Sequence, residues 1–331
     1  MTNKQTAPGK NTPSPATGEP VDVYVAGHFA DALGAYTGAV LWKNGVATPL
    51  AGGTVAYSVF VSGDDVYVAG AERVPGLPGV ATLWKNGVAT ALTDGTRDAG
   101  ACSVFVSGGD VHVAGTENNA DGNPVATVWK NGTAIVLSAA KISFAYSVFV
   151  SGGDVYVAGS ENRVATLWKN GVATPLAGGV MAHSVFVSGA DAYVARIDKP
   201  GATTIPVLWK NGVATPLARD ANHVTAGSVF VSGGDVYVTG TATILDNLLA
   251  ENKYDSIATL WKNGVPTPLN DATNNMSAGQ VRVSGGDVYV AGHEFLPDGY
   301  HPVAVLWKNG VPTVLGDRAF AASVFVKTSK Q

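Results

Sequence analysis

Charged residues and cysteine are both scarce in this chain of 331 residues. Only 14% of the residues are charged, against about 25% in typical soluble proteins. The formal net charge of −4 provides no broad basic surface, so nucleic-acid binding lacks its usual electrostatic footprint. Cys102 is the only cysteine, which excludes an intrachain disulfide and leaves the redox compartment undefined. No apolar run reaches the roughly 18 residues that span a bilayer, so we expect no membrane insertion.

A repeated segment accounts for most of the sequence. The tetrapeptide Trp-Lys-Asn-Gly contains all seven tryptophans of the chain, at Trp42, Trp84, Trp129, Trp168, Trp209, Trp261 and Trp307. Successive copies lie 39 to 52 residues apart. A period of that length indicates stacked supersecondary units that form one closed body.

Each repeat divides into four short strands, as the copy at residues 147–176 illustrates. Its segments are SVFVS, DVYVA, VATLWK and VATPL, rich in the Val, Tyr, Phe, Thr and Trp residues that strands favour. Gly152-Gly153 and Asn170-Gly171 separate the first from the second and the third from the fourth. Both pairs tolerate the positive φ angles that two-residue hairpins require, so the sequence predicts antiparallel hairpins.

The prolines indicate which strand is outermost. They recur in the fourth strand, where a missing N–H is tolerated only on an unpaired edge. They lie at Pro49, Pro175, Pro216 and Pro268, with Pro266 and Pro312 two residues earlier. The first repeat lacks an innermost strand, and residues 323–326 provide one at the other end of the chain. The sequence therefore predicts an all-β, seven-bladed propeller, closed by three N-terminal strands and one C-terminal strand.

The ends of the chain differ from the repeats. Residues 1–20 are polar and rich in Pro and Thr, which predicts a disordered leader or tether. We expect the propeller to cover residues 21–326 and a C-terminal tail to cover residues 327–331. A tether of this kind suits a protein whose targeting segment has been removed, which favours an extracytoplasmic or cell-surface location. An ordinary cytoplasmic N-terminus is the alternative.

The segment Val-Tyr-Val-Ala-Gly, followed by a loop and a strand that ends near Trp, loosely resembles kelch repeats over residues 21–326. Kelch motifs carry a double glycine after the second strand, and here it is reduced to one glycine. The Gly-His and Trp-Asp signatures of WD repeats are absent. The resemblance implies the propeller architecture and transfers no site residues.

The two ends of the blades differ in sequence variability. One, the turn face, carries the Gly-Gly and Asn-Gly turns; the other, the loop face, carries the connections after the second and fourth strands. The turn face repeats a lysine (Lys43, Lys85, Lys130, Lys169, Lys210, Lys262, Lys308) and an aspartate (Asp22, Asp65, Asp110, Asp154, Asp191, Asp235, Asp287). We interpret these as turn-stabilising and solvating residues; a lysine ring that attracts an anionic polymer is the alternative. Function is expected on the loop face, because variable loops on a rigid scaffold usually carry binding sites.

Three features of the loop face are candidates for a site. Four blades repeat Gly-x-Glu, at Glu72, Glu117, Glu161 and Glu294, where a carboxylate could bind sugar hydroxyls or a cation. The mouth of the central channel is expected to carry Tyr57, Cys102, Tyr146 and His183, with Lys141 nearby. The Thr241–Ser256 insertion contains leucines at a spacing that suits one or two helical turns.

The junction of the last and first blades combines histidines, aromatic rings, carboxylates and an arginine. Aromatic planes with directed polar groups suit a carbohydrate, whereas histidines with carboxylates suit a transition metal. The predicted ligand-binding residues are His28, Phe29, Tyr36, His293, Glu294, Phe295, Tyr300, His301 and Arg318. Asp317 and Phe320 lie in the loop between these two blades.

The sequence contains no Ser-His-Asp motif, no phosphate-binding glycine loop and no metal-ligand spacing. We therefore assign no catalytic residues, metal or cofactor. The expected function is a monomeric, non-enzymatic binding, adhesion or interaction module whose partner is a glycan or a protein surface. Two alternatives stay open: an enzyme with a His/carboxylate site at the junction, and a structural scaffold or assembly component.

Overall fold

The computed structural model describes residues 21–138, 142–201, 203–218, 222–245, 254–269, 275–296 and 301–328. The predicted leader at residues 1–20 and the end of the predicted tail at residues 329–331 lie outside these ranges. Lys141 and Tyr300 also lie outside them. The described residues contain no helix that could span a lipid bilayer.

The described residues form strands grouped as the repeats predict. The first three belong to blade 1: β1 (Val21–Ala30), β2 (Tyr36–Lys43) and β3 (Val46–Pro49). Blade 2 holds β4 (Val55–Ser62), β5 (Asp65–Glu72), β6 (Val80–Lys85) and β7 (Val88–Ala91). Blade 3 holds β8 (Ala99–Ser107), β9 (Asp110–Asn118), β10 (Pro124–Lys130) and β11 (Thr133–Val136). Blade 4 holds β12 (Ser143–Ser151), β13 (Asp154–Glu161), β14 (Val164–Lys169) and β15 (Val172–Pro175).

The remaining blades follow the same order. Blade 5 holds β16 (Gly179–Ser188), β17 (Asp191–Asp198), β18 (Ile205–Lys210) and β19 (Val213–Pro216). Blade 6 holds β20 (Asn222–Ser232), β21 (Asp235–Leu245), β22 (Tyr254–Lys262) and β23 (Val265–Pro268). Blade 7 holds β24 (Met276–Ser284), β25 (Asp287–Phe295), β26 (Pro302–Lys308) and β27 (Val311–Asp317), and β28 (Ala319–Thr328) ends the chain.

The chain is a seven-bladed β-propeller with four antiparallel strands in each blade. Blade 1 has the order β28-β1-β2-β3, so the ring closes through the C-terminal strand, as predicted. The pairing of β1 with β28 runs from Val21 opposite Thr328 to Phe29 opposite Ala319. The closing strand therefore continues two residues beyond the predicted boundary at Val326.

Two further expectations concern the strands at the edges of the blades. The fourth strand forms the outer edge of each blade, as predicted, and five of these strands contain proline. The strands β3, β15, β19 and β23 are exposed along their length. Helical turns were expected in the Thr241–Ser256 insertion. Its ends belong to β21 and β22 instead, with Leu245 as the last residue of β21, and residues 246–253 lie outside the described residues.

The hydrophobic core is divided into clusters between neighbouring blades. Trp84 of blade 2, for example, packs with Tyr24, Ala26 and Leu50 of blade 1. Trp42 of blade 1 packs with Tyr289 of blade 7, which joins the closing blade to its neighbour. Six of the seven tryptophans are at most 1% exposed. The tryptophan that every repeat contains therefore serves packing between blades.

Candidate functional site

The turn face is built from a repeated cluster of three polar side chains. In blade 4 the Lys169 Nζ lies 2.7 Å from Asp154 Oδ2, and the Asn170 amide donates to Asp154 Oδ1 at 2.7 Å. The side-chain Oδ1 of Asn170 accepts a hydrogen bond from the backbone N–H of Val155 at 2.8 Å. The hydrogen bonds from Lys169 and Asn170 hold the pKa of Asp154 below its usual value.

The same cluster recurs in all seven blades, with Lys–Asp distances of 2.7–2.8 Å and Asn–Asp distances of 2.6–2.8 Å. Each lysine is therefore neutralised by the aspartate of its own blade. These contacts give both residue types a structural role at the turns, and they remove the charge basis for a ring that attracts an anionic polymer.

The loop face opens onto the central channel through a ring of β-bulges. Each inner strand has a serine at one fixed position of the repeat, except in blade 7, where the residue is Gln280. The residue just before this position has no partner in the pairing with the second strand. A bulge bends the strand and redirects its side chain. The seven residues at this position line one cavity at the channel mouth, as the repeat predicted: Tyr57, Cys102, Tyr146, His183, Gly227, Gly279 and Ala322.

A cavity of about 720 Å³ lies on the loop face beside four of these residues, in blades 2 to 5. Tyr57, Cys102, Tyr146 and His183 line its inner side. The lining also includes Arg73, Asp98, Thr116, Asn118, Phe144 and Met181. A concave, mostly apolar pocket with a few polar groups is the usual form of a small-molecule site.

Aromatic rings form the floor of this pocket. Phe144 and Tyr146 lie two residues apart on β12, and their rings are parallel within 3° at a centroid distance of 6.0 Å. The Tyr146 ring meets His183 of the next blade edge-on at 5.6 Å. The Tyr146 hydroxyl donates to Met181 Sδ at 3.9 Å. These contacts hold the Tyr146 ring in one orientation across two blades.

A polar pair lies at the opposite side of the pocket. Arg73 Nη1 lies 3.2 Å from Asp98 Oδ1, which also accepts from the backbone N–H of Gly79 at 2.8 Å. Both side chains are about half exposed, at 44% and 50%. The pair adds hydrogen-bonding groups of both kinds to the pocket without a net charge.

Burial shifts four titratable side chains on the inner side of the pocket toward their neutral forms. Burial raises the pKa of the Cys102 thiol to about 11 and lowers the pKa of His183. Burial also raises the pKa values of Tyr57 and Tyr146. Cys102 and His183 lie in blades 3 and 5, with Tyr146 of blade 4 between them around the ring. A thiol that stays protonated at neutral pH is a poor nucleophile, because the thiolate is the reactive form.

The junction of blades 7 and 1 brings several predicted site residues together around Phe320. His28 stacks on the Phe320 ring at 5.0 Å, and His293 meets the same ring edge-on at 4.7 Å. Tyr36 contacts His28 at 4.3 Å, and Phe295 contacts His293 at 5.3 Å. The two histidines occupy neighbouring blades, and the Phe320 ring packs against both. This junction cluster reaches the channel mouth, because the His28 ring lies 6.2 Å from the Tyr57 ring.

Packing makes both junction histidines weak bases. Burial lowers the pKa of His28 to about 4, an effect that the Ala56 carbonyl partly offsets, although neither ring nitrogen forms a hydrogen bond of normal geometry. Burial, followed by the nearby His28 ring, lowers the pKa of His293 to about 4. Among the described residues no group of three His, Cys, Asp or Glu side chains is placed to hold a metal ion.

Two other predicted residues serve the framework of the junction. Phe29 follows His28 on β1 and its ring packs on Trp42 at 6.0 Å, within the core between blades 7 and 1. Arg318 adopts a φ of 47° at the turn between β27 and β28, where its carbonyl oxygen accepts from the Ala30 N–H at 2.8 Å.

The remaining predicted residues lie farther along blade 7. His301 Nε2 lies 2.5 Å from Asp317 Oδ1, at the exposed end of the blade. Glu294 lies on β25, opposite Met276 in the register of the blade. Tyr300 lies outside the described residues. Of the four Gly-x-Glu carboxylates, Glu117 pairs with Arg97 at 3.1 Å, and Glu161 hydrogen-bonds Ser138.

Sequence reasoning missed most of the residues that line the pocket. Arg73, Asp98, Phe144 and Met181 were not predicted, and each lies at a position that varies from blade to blade. Phe144 and Met181 stand two residues before Tyr146 and His183, so the alternation of a strand places them on the same side as those predicted residues. That alternation was the available signal.

Comparison with known proteins identifies the fold alone. No protein-family model matches the chain, and no curated protein matches its sequence. The fold is similar to that of a puromycin-hydrolysing peptidase from Mycobacterium tuberculosis, with a TM-score of 0.54 and 13% identity over 90% of this chain. The chain spans about half of that peptidase, 52% of its length.

Two other solved structures are less similar. The β-propeller domain of the Trilobed protease from Pyrococcus furiosus has a TM-score of 0.42 and 12% identity over 80% of this chain and 97% of its own. An α-L-arabinofuranosidase from Clostridium thermocellum has a TM-score of 0.32 and 12% identity over 62% of this chain and 89% of its own. At this level of similarity neither carries an argument about function.

Proposed function

We propose that the protein is a binding module whose loop-face pocket holds a neutral carbohydrate. The observation that carries this proposal is the parallel pair of rings, Phe144 and Tyr146, in a cavity of about 720 Å³ that also contains the Arg73–Asp98 pair. The apolar face of a sugar ring stacks on an aromatic plane, while its hydroxyls need donors and acceptors at the rim. Arg73 and Asp98 supply both without selecting for a charged ligand.

The position of the pocket supports a binding role. Its lining comes from four consecutive blades and is held by strands on the inner side and by loops on the outer side. A rigid scaffold with preformed side chains loses little conformational entropy when a ligand binds. The turn face lacks such variation, because the same Asp–Lys–Asn cluster occupies it in every blade.

A protein partner is the second candidate, and a separate observation favours it. Leu33, Val74 and Leu77 are 93%, 47% and 65% exposed on the loop-face connections of blades 1 and 2. Exposed apolar side chains on neighbouring loops are a common feature of protein interaction surfaces. Val74 directly follows Arg73, which lines the pocket, so a glycosylated protein would contact both.

The enzyme alternative at the junction has weaker support. General acid–base catalysis works best when the pKa of the catalytic group lies near the working pH. Burial lowers the pKa values of His28 and His293 to about 4, and both rings pack against Phe320. Both features suit residues that fill space between blades.

The carbohydrate proposal is tested by glycan-array screening, followed by calorimetric titration of the best neutral sugar. Tyr146→Ala and Arg73→Ala should each weaken binding about tenfold or more, which corresponds to about 1.4 kcal/mol. Lys169→Ala is the matched control, because Lys169 belongs to the same blade as Tyr146 but lies on the turn face. Unchanged affinity in Tyr146→Ala, or the same loss in Lys169→Ala, would contradict the proposal.

A further inference from the structure

The central channel contains a series of hydrogen bonds between neighbouring blades. Below the mouth, a serine on the inner strand of each of blades 1 to 5 accepts a hydrogen bond from a backbone N–H of the next blade. The bonds are Val59 N–H to Ser323, Val104 to Ser58, Val148 to Ser103, Val185 to Ser147 and Val229 to Ser184, at 3.0–3.2 Å. Because the oxygen acts as the acceptor in each bond, the hydroxyl hydrogens of Ser58, Ser103, Ser147 and Ser184 stay available as donors, whereas Ser323 donates to Gln280.

Blade 7 has glutamine at this position. Gln280 Oε1 accepts from Ser323 Oγ at 2.6 Å and from the Val324 N–H at 3.1 Å. Two donors on one atom identify it as the carbonyl oxygen, so the amide nitrogen of Gln280 is a further donor group in this layer. The layer as a whole is rich in donors.

The next layer toward the turn face is a ring of phenylalanines interrupted by one arginine. Neighbouring phenylalanine rings pack at 4.7–5.0 Å around the channel, in the order Phe325, Phe60, Phe105, Phe149, Phe186 and Phe230. Arg282 completes the ring, with its guanidinium 5.1 Å from the Phe230 ring and 5.0 Å from the Phe325 ring. Blade 7 thus replaces Ser and Phe of the repeat by Gln280 and Arg282, both of which face the channel.

Arg282 carries a positive charge that no carboxylate among the described residues offsets. Its Nε is enclosed and has no hydrogen-bond partner, and in the part of the chain that the structure describes no carboxylate pairs with it. Removal from bulk water lowers the pKa of Arg282 to about 10, so the side chain stays protonated at neutral pH. Arg282 is half-buried, and the two aromatic faces offset part of the cost of its partial removal from water, but an unpaired charge in the channel stays unfavourable.

A cavity of about 40 Å³ lies between the two layers. Its polar lining consists of Ser58, Ser103, Ser147, Ser184, Gln280 and Arg282. A cavity of roughly 10–15 Å³ already holds one water, so a monatomic anion fits. The described lining residues include no carboxylate, and the polar side chains supply hydroxyl, amide and guanidinium donors around one small space.

We propose that the central channel is a halide site, occupied by chloride in ordinary salt solutions and bound between the serine layer and Arg282. Chloride needs hydrogen-bond donors and a positive charge, and both converge on this cavity. The cavity of about 150 Å³ above it, at the mouth of the channel, gives the ion a path from the loop face. The site is distinct from the carbohydrate pocket and does not depend on it.

Bromide tests the site directly, because it replaces chloride and scatters anomalously. Crystals grown in sodium bromide should show one anomalous peak in the cavity beside Arg282. Crystals of Arg282→Phe, which restores the residue of the other blades, should show none there. A wild-type crystal without this peak would overturn the proposal, as would an equal peak in Arg282→Phe.

Thermal unfolding in solution gives a second readout. At constant ionic strength, the midpoint of the wild type should rise by at least about 2 °C when sodium chloride or bromide replaces sodium gluconate. Arg282→Phe and the neutral Arg282→Gln should lose this dependence; the second variant keeps the test valid if the first does not fold. Arg163→Asn, which removes a positive charge from an exposed turn, should keep it. The same halide dependence in Arg282→Gln and the wild type would refute the site.

Discussion

At the scale of single residues, glycine on the second strand allows the innermost strand to pass close by. A Cβ added to Gly159 would overlap the carbonyl oxygen of Phe144 and lie 2.9 Å from a ring carbon of Trp168. Five other blades have glycine at this position, and each shows the same overlap with an inner-strand carbonyl. Blade 5 has Arg196 there, and its inner strand has a second register shift between Gly179 and Met181, as the inner strand of blade 6 has between Asn222 and Thr225.

Gly159→Ala should therefore destabilise the protein by about 2 kcal/mol or more, because neither the backbone of β12 nor the buried tryptophan can move freely. The change also displaces Phe144, so we expect weaker binding in the pocket. Denaturant unfolding measures the first effect and ligand titration the second.

Gly38→Ala is the matched control, since a Cβ there meets no atom within 4 Å. Its free energy of unfolding should stay within about 0.5 kcal/mol of the wild type. Equal stability of Gly159→Ala and Gly38→Ala would show that the strands are not in the close contact described.

The two junction histidines determine a second residue-scale prediction. Their pKa values are lowered from 6.5 to about 4 in the folded protein. Between these values the unfolded chain binds more protons, so the free energy of unfolding should rise with pH from about 4 to 6.5 and level off above. Each histidine contributes about 3 kcal/mol to the rise in the free energy of unfolding across that pH window, at about 1.36 kcal/mol per pKa unit.

Denaturant unfolding at pH 4.5 and pH 7 measures this dependence. His28→Phe, which keeps a ring in the cluster, should reduce the difference between the two pH values. Tyr36→Phe, which keeps the ring that contacts His28 and removes no histidine, should leave it intact. An identical pH dependence in wild type and His28→Phe would refute the role given to His28.

At the scale of strands, the closing strand β28 joins the two ends of the chain. It pairs with β1 along its length, and Ser323 accepts a hydrogen bond from the Val59 N–H of blade 2 while donating to Gln280 of blade 7. Val324 and Val326 also belong to the core between blades 7 and 1. One strand therefore connects three blades.

A chain that ends at Ala322 should lose this closure. We expect the unfolding midpoint to fall by more than about 10 °C, because strand pairing, inter-blade hydrogen bonds and core contacts are lost together. Removal of residues 329–331, which follow the strand, is the control and should leave the midpoint unchanged. A truncated protein with the wild-type midpoint would contradict the closure by β28.

At the scale of the whole molecule, the two faces of the disc differ in kind. The turn face repeats one Asp–Lys–Asn cluster, so the charges of each cluster cancel within its blade, and blade 2 adds Asp64, which pairs with Lys327. The loop face departs from the repeat in blades 2 to 5, where the pocket lies, and at the junction of blades 7 and 1. The channel between the faces departs from the repeat in blade 7, at Gln280 and Arg282. Candidate sites therefore coincide with departures from the repeat.

The sequence alone was sufficient for the architecture, because that information is local. Two-residue turns, the alternation of strands, edge prolines and the incomplete first repeat each depend on neighbouring residues, and together they predict seven blades and their closure. The sequence also placed Tyr57, Cys102, Tyr146 and His183 at the channel mouth, because each occupies the same position in its repeat.

Only the tertiary structure decided which of the residues that depart from the repeat lie in contact. Tyr57 and Phe144 are far apart in the chain and share a pocket because the ring brings blades 2 to 5 around one mouth. The predicted junction residues were divided in a similar way: His28 joins the cluster around Phe320, whereas Phe29, on the other side of the same strand, enters the core. Arg282 acquires its place between Phe230 and Phe325 only when the ring closes. Such contacts depend on the curvature of the closed ring, which no local pattern specifies.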